Sequence, residues 1–247
     1  MARYQVILAY DGAGFSGSQR QANSRTVQGE FEKALRKRGW SDGSVIMAGR
    51  TDTGVHASGQ VAAFDFEWTH PHGKLLKALN ADLPPDLAVR SLRPVPADFH
   101  PRFDAASRTY RYGLFCEPIR NPLRERFAWR IATPLDGNAL KRNAGFFLGR
   151  HDFAAFGSPT TPKGTTVRTV TKSEWRKKQD GEWQFEVCAD AFLYRMVRRL
   201  VFVQVSIAQG KCSVEKVQHA LARQGNLVPG LAPAHGLTLM EVTYGSF

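Results

Sequence analysis

Nine residues, Gly49-Arg50-Thr51-Asp52-Thr53-Gly54-Val55-His56-Ala57, bring a carboxylate, a guanidinium and an imidazole together directly after an apolar run. Glycines bracketing a carboxylate let the backbone turn tightly and present the side chain to a ligand. In an extended segment Arg50 and Asp52 face the same way, so the arginine could hold an acidic substrate beside the carboxylate. The same composition also suits an ordinary hairpin turn, because Gly, Thr and Asp are common turn formers. The loop by itself leaves both open.

Other stretches carry chemistry of their own. The segment Phe192 to Val203 is apolar almost all round, yet it contains Arg195, Arg198 and Arg199. A helix of that kind is largely buried, and a buried guanidinium keeps its charge, so it needs a carboxylate or a phosphate beside it. Arg195 and Arg199 suit the alternative of reaching solvent along their aliphatic stems, while Arg198 stays open between the two. Tyr110 and Tyr112 share one face of a strand and Thr109 and Arg111 the other, with core packing a sufficient reason for one tyrosine. Gly12-Ala13-Gly14-Phe15-Ser16-Gly17 has the spacing of a dinucleotide fingerprint, but no apolar helix opens after the third glycine, which disfavours a nicotinamide site. The polar Gln19-Arg20-Gln21 that follows is better suited to phosphates or base edges. His56 has no second His or Cys at ligand spacing, so it reads as a packed loop histidine and not a metal ligand. No GxSxG, HExxH or Walker sequence is present, which removes the common hydrolase and NTPase classes.

The elements that must position these residues follow from periodicity. Tyr4 to Tyr10 predicts a buried strand, and Val27, Phe31 and Leu35 a helix stopped by Gly39. Ser44 to Ala48 and Val61 to Phe66 are expected as strands on either side of the Arg50/Asp52 loop. Gly73 to Asn80 suits a helix closed by Leu83-Pro84-Pro85, and Leu87 to Val95 a strand. A second half opens with the strand Arg108 to Phe115 and continues with a helix capped by Asp136 and ended near Gly149. Strands around Thr166 to Trp175 and Trp183 to Val187 come next, the latter alternating as a half-buried antiparallel strand should. A long apolar helix Phe192 to Gln209, a shorter one after Ser213 and a last strand Leu237 to Tyr244 complete it. Two α+β halves are expected, residues 1–105 and 106–247, joined near 96–107.

Charge separates those halves. The 247 residues carry 34 Lys+Arg against 22 Asp+Glu, a formal net charge of +12. Residues 1–105 hold 13 basic and 11 acidic side chains (+2), and residues 106–247 hold 21 and 11 (+10). A polyanionic partner is implied, with its phosphate footprint mainly on the second half. Solvated helix faces such as Arg36-Lys37-Arg38 are the competing source of positive charge. Three widely spaced cysteines without a CxxC, no signal-like apolar segment at the start and no unbroken apolar helix lead to the expectation of a cytoplasmic protein with no membrane contact.

Taken in order along the chain, these blocks resemble the tRNA pseudouridine synthases of the A type. The resemblance rests on Tyr10-Asp11-Gly12 with Gly17 and Gln19-Arg20-Gln21, on Thr26-Val27-Gln28-Gly29-Glu30, and above all on the specific Gly49 to Ala57 block with Gly59-Gln60-Val61. It continues through Leu79 to Pro84, Phe99-His100-Pro101-Arg102-Phe103, Arg108 to Tyr112, Gly149 to Phe153, and Phe192-Leu193 with Met196-Val197-Arg198, ending at Gly236-Leu237. It implies isomerisation of uridine to pseudouridine at positions 38, 39 and 40 of the tRNA anticodon stem-loop, by C1′–N1 cleavage and C1′–C5 rejoining. On that resemblance Asp52 is the catalytic carboxylate, Arg198 its ion-pair partner, and Tyr110 the ring that stacks on the target uracil and can relay the C5 proton. Arg50, Gln19, Arg20 and His56 join Tyr110 as substrate-binding residues. The implied fold is two ferredoxin-like (RRM-like) halves, their antiparallel sheets meeting around a basic active-site cleft, working as a homodimer on tRNA. Because the net reaction neither oxidises nor hydrolyses, no metal or organic cofactor is expected. A non-catalytic RNA-binding module of the same fold is the alternative. Two positions depart from the family pattern: Ser18 stands where tryptophan is usual before Gln19, and Phe202 where glycine commonly follows the arginine motif.

Overall fold

The computed structural model describes residues 1–41, 43–161, 163–178, 181–222 and 227–245. It divides into two compact units, one of Met1–Ala106 with Thr238–Phe247 and one of Ser107–Leu237. Both are mixed α+β, with mostly antiparallel strand pairing inside each.

The first unit runs β1 (Ala2–Tyr10), α1 (Val27–Lys37), β2 (Ile46–Met47), β3 (His56–Phe66), α2 (His72–Asp82) and β4 (Leu87–Val95). β1 lies between β3 and β4, antiparallel to both, with Tyr4 opposite Phe64 and Pro94. Thr26 caps α1 by accepting the Gly29 N–H at 3.2 Å, and Arg36 and Lys37 occupy the last turn, where cations suit the exposed carbonyls. Val27, Phe31 and Leu35 are all fully buried, as their spacing requires. α2 is anchored to β4 by Asn80, whose side chain accepts the Val89 N–H and donates to the Val89 carbonyl, both at 2.9 Å.

The second unit runs β5 (Ala105–Cys116), α3 (Pro122–Glu125), β6 (Trp129–Ile131), α4 (Gly137–Ala144), β7 (Gly149–Asp152), β8 (Val167–Lys177), β9 (Glu182–Ala189), α5 (Met196–Ala208) and α6 (Val214–Leu221). Its sheet has the order β5-β9-β8-β7, antiparallel throughout, with β6 added parallel to β5. In β9 Trp183, Phe185, Val187 and Ala189 are buried and the residues between them are not, so the expected alternation is present. Asp136 caps α4 through the Asn138 and Ala139 N–H groups.

Some features differ from expectation. The strand β10 (Leu237–Tyr244), expected in the second half, pairs in parallel with β3, Thr238 opposite His56 and Leu239 opposite Ala57. The strand expected over Ser44 to Ala48 contracts to the two residues of β2. β3 begins at His56, which places that histidine on a strand. α5 begins four residues later than its apolar run, because Tyr194 is drawn into a bridge with Ser158, its N–H donating to the Ser158 carbonyl at 2.9 Å. Arg195 then takes a left-handed conformation (φ 63°), which ends the extended stretch and opens the helix.

Candidate active site

The acid loop is suspended on buried polar groups of the first unit. Thr51, 7% exposed, donates its N–H to Ser18 Oγ at 2.8 Å and accepts the Ser18 N–H on its carbonyl at 3.1 Å. Its hydroxyl meets the Tyr10 hydroxyl at 2.9 Å. Gln60 reaches back from β3 to donate to the Gly49 carbonyl at 2.9 Å. Burial pushes the Tyr10 phenol up to about 12, against the opposing pull of its hydrogen bonds to Thr51 and Gln60, so it remains a hydroxyl at neutral pH. A turn follows in which the Val55 N–H donates to the Asp52 carbonyl at 3.1 Å and Gly54 adopts φ +79°, a value natural for glycine. Asp52 is left half-buried between an exposed Arg50 and an exposed Thr53.

The neighbouring Gly12 turn closes on the far side of this loop. A Cβ at Gly12 would lie 2.0 Å from the Val55 carbonyl oxygen, so the glycine is there for backbone approach and not for a phosphate. Its N–H donates to His56 Nδ1 at 3.0 Å, with Asp11 Oδ1 3.1 Å from the same nitrogen. Nδ1 cannot accept that amide and carry a proton at once. The amide direction assigns it as an acceptor, with the imidazole proton on Nε2, and Asp11 Oδ1 accepts from Ala13 N–H at 3.0 Å. His56 is 3% exposed and fastens the loop's exit from within.

Gln19 and Arg20 leave Ser18 toward solvent and are exposed. The Arg20 guanidinium pairs with Glu32 at 2.7 Å, and the Arg20 backbone N–H donates to Gln28 Oε1 at 2.9 Å. Glu32, fully buried, also accepts from Gln28 Nε2 and from the Val45 N–H just before β2. The Gln28–Glu32 pair on α1 thus joins the segment after Ser18 to the strand that leads into the acid loop.

In the second unit Tyr110 sits on β5 opposite Val187, 8% exposed, with the Phe192 ring edge-on at 5.1 Å. Tyr112 is the core tyrosine: it is fully buried, its hydroxyl donates to the Pro233 carbonyl at 2.9 Å, and burial raises its phenol well above the ordinary range while the Arg198 charge opposes this. Arg198 is partly buried on the first turn of α5. Its Nε donates to the Ala232 carbonyl at 2.8 Å, and the Ala232 N–H returns to the Arg198 carbonyl at 3.3 Å. Arg199 donates to the Gly230 carbonyl at 2.7 Å. Gly230 has φ +138°, and a Cβ there would meet Phe202 Cζ at 2.1 Å, so the Phe202 ring lies directly on the loop that receives both arginines. Arg195 is exposed, its guanidinium 4.7 Å from the Tyr194 ring.

Sequence reasoning did not single out Tyr10, Gln60 and Glu32 as supports of the loop. A polar residue inside an otherwise apolar strand or helix face was the available signal. The two departures from the family pattern are both supports: Ser18 holds Thr51, and Phe202 covers the Arg198 loop. Among the described residues no group of three or more His, Cys, Asp or Glu is placed to hold a metal ion. No helix among them is long and apolar enough to cross a membrane.

Comparison with known proteins gives the family. A family model described as tRNA pseudouridine synthase matches residues 6–104 and 144–245. A tRNA pseudouridine synthase A of Shouchella clausii is 40% identical over 247 residues, covering 99% of this chain and 94% of its own. One of the same name from Brevibacillus brevis is 40% identical over 246 residues, covering 99% and 100%. Among solved structures, a chain from a Cbf5-Nop10-Gar1 complex superposes with a TM-score of 0.37 at 12% identity over 82% of this chain and 44% of its own, too distant to support the fold. The chain belongs to the tRNA pseudouridine synthase A family, and is thus an isomerase of the kind that converts uridine to pseudouridine in tRNA.

Proposed function

We propose that this enzyme acts on uridines 38, 39 and 40 of the tRNA anticodon arm, with Asp52 as the catalytic carboxylate, Arg198 as its cationic partner and Tyr110 as the aromatic face for the target uracil. The observation that carries this is the fastening of Thr51 by Ser18 and Tyr10, which presents the half-buried Asp52 from a backbone that cannot drift. A carboxylate can serve as nucleophile at a sugar or ring carbon, and a nearby guanidinium keeps it ionised as water is excluded. The C1′–N1 bond breaks, the uracil turns, C1′ bonds to C5, and the C5 proton leaves while N1 takes one up, so atoms balance without a cofactor. An extruded base gains back its lost stacking on an aromatic face. Arg50, exposed beside Asp52, contacts the RNA backbone or fills the space of the extruded base. Gln19 and Arg20 face the RNA from the same loop system, with Arg20 partly neutralised by Glu32. His56 acts on the substrate indirectly, by holding the loop.

The basic second half suits the phosphate backbone. The reading includes two ferredoxin-like halves around a basic cleft and a cytoplasmic homodimer acting on tRNA. Asp52→Ala should abolish tritium release from tRNA labelled at uridine C5 while leaving tRNA affinity within about threefold, since exposed charge contacts supply most of that affinity. Retained release would remove Asp52 from its role, and release mapped to uridines outside the anticodon arm would remove the assigned positions.

A further inference from the structure

The block Phe99 to Phe103 takes no part in the chemistry above, yet it builds a rigid turn that displays a bare aromatic ring. Phe103 is 76% exposed. Its backbone is fixed from several sides. The His100 N–H donates to Asp104 Oδ2 at 2.7 Å, the Asp104 N–H donates to the His100 carbonyl at 3.0 Å, and the N–H groups of Arg102 and Phe103 both donate to His100 Nδ1 at 3.2 Å. The turn stands on the core of the first unit: Phe99 is 2% exposed with the Tyr244 ring at 5.2 Å, and the Tyr244 hydroxyl donates to the Pro101 carbonyl at 2.7 Å. On this base the His100 imidazole stacks under Phe103, centroids 4.1 Å apart and planes inclined by 26°.

One face of the Phe103 ring is therefore backed by an imidazole and the ring remains largely open to water, with the Arg102 guanidinium 5.9 Å from its centroid. A fixed planar apolar face beside a cation is the arrangement that receives a nucleobase together with its phosphate. The alternative occupant, a protein surface, would call for a broader apolar patch, whereas the residues flanking Phe103 in the turn are His, Arg and Asp. The net charge of +12 favours a polyanion over a second copy of the same chain.

We propose that Phe103, backed by His100, is a stacking platform for an unpaired nucleobase of the substrate tRNA, separate from the uracil that reacts. This rests on the tRNA reading given above. Phe103→Ala, Phe103→Leu and Phe103→Trp in the full-length enzyme test it, using tritium-release kinetics and fluorescence anisotropy with the same tRNA transcript. The Ala and Leu variants should raise KM and Kd about tenfold, the loss expected of one base–aromatic stack, with kcat within about twofold and an unchanged melting temperature. The Trp variant should return both constants to near the parent values. A Leu variant that binds like the parent would overturn the platform, because leucine supplies apolar area without a planar face. A fall in kcat at constant KM in all three, or a change in sedimentation of the Ala variant without RNA, would also overturn it, in favour of a structural or a protein-docking role. Should the parent release no tritium, the proposed chemistry fails on its own and anisotropy still reports on the platform.

Discussion

The acid loop of the first unit and the arginine helix of the second are held in different ways. Around Asp52 the supports are hydrogen bonds from buried polar groups, Ser18, Tyr10 and Gln60, each aimed at a backbone or hydroxyl atom of the loop. Around Arg198 shape is added to the hydrogen bonds with the Ala232 and Gly230 backbone: Val197, Leu200 and Val201 are buried, and the Phe202 ring presses on Gly230. Hydrogen bonds fix direction as well as position, which a short carboxylate needs because its oxygens lie close to the backbone. A guanidinium at the end of a long stem can be aimed locally, and the Nε bond to Ala232 does so. Damage to the loop should therefore appear in turnover, and damage to the helix first in stability.

The largest effect is expected at Gly12. A Cβ there would stand 2.0 Å from the Val55 carbonyl oxygen and 2.4 Å from its carbon, both main-chain atoms that cannot rotate away. Gly12→Ala should cost about 3 kcal/mol, the upper part of the range for overpacking, and also displace the turn that fixes Asp52. Urea denaturation and tritium release should both respond, with kcat falling by more than the stability loss explains. A folded variant with the parent kcat would show that the loop does not depend on this contact.

Gly230 tests the other half of the comparison. Gly230→Ala meets the Phe202 ring at 2.1 Å and places a side chain at φ +138°. The expected cost is about 2 kcal/mol from steric overlap and backbone strain together. Phe202→Ala loses packing by itself but makes room for the new methyl, so the double variant should be less unstable than the sum of the single ones, by about 1 kcal/mol. The kcat of Gly230→Ala, measured well below its melting temperature, should stay within about fivefold. A collapse of kcat in a stable protein would mean that the arginine is as finely aimed as the acid.

The same contrast decides what could be read from the chain. β9 and α1 each bury one face, so their periods of two and near four survive in the sequence and the elements lie where expected. The start of α5 is set by the bridge from Tyr194 to Ser158 and by the left-handed Arg195, neither of which leaves a periodic trace. The parallel pairing of β10 with β3 joins segments far apart in the chain, and local pattern carries no information about it. At the site, the glycines and the acid of the loop suited chemistry and an ordinary turn alike, and only the resemblance of the whole block singled it out. Its supports were hidden, because a serine, a tyrosine and a glutamine become supports only when folding brings them to Thr51 and Gly49.

Ser18 gives the smallest expected cost in stability and the sharpest separation of the two kinds of support. It is fully buried, its Oγ accepts the Thr51 N–H at 2.8 Å, and its carbonyl accepts the Gln28 N–H of α1 at 2.9 Å. Ser18→Ala keeps the backbone bonds and the volume nearly constant while leaving one buried amide unpaired, at a cost of about 1 kcal/mol. Because that amide belongs to the residue before Asp52, kcat should fall about tenfold, more than a stably folded protein would lose from so small a destabilisation. Ser18→Thr restores the acceptor at the price of a crowding methyl, and it should recover turnover before it recovers stability. If Ala and Thr lowered kcat equally, steric fit would be the working support of the acid loop, and the two regions would be held alike.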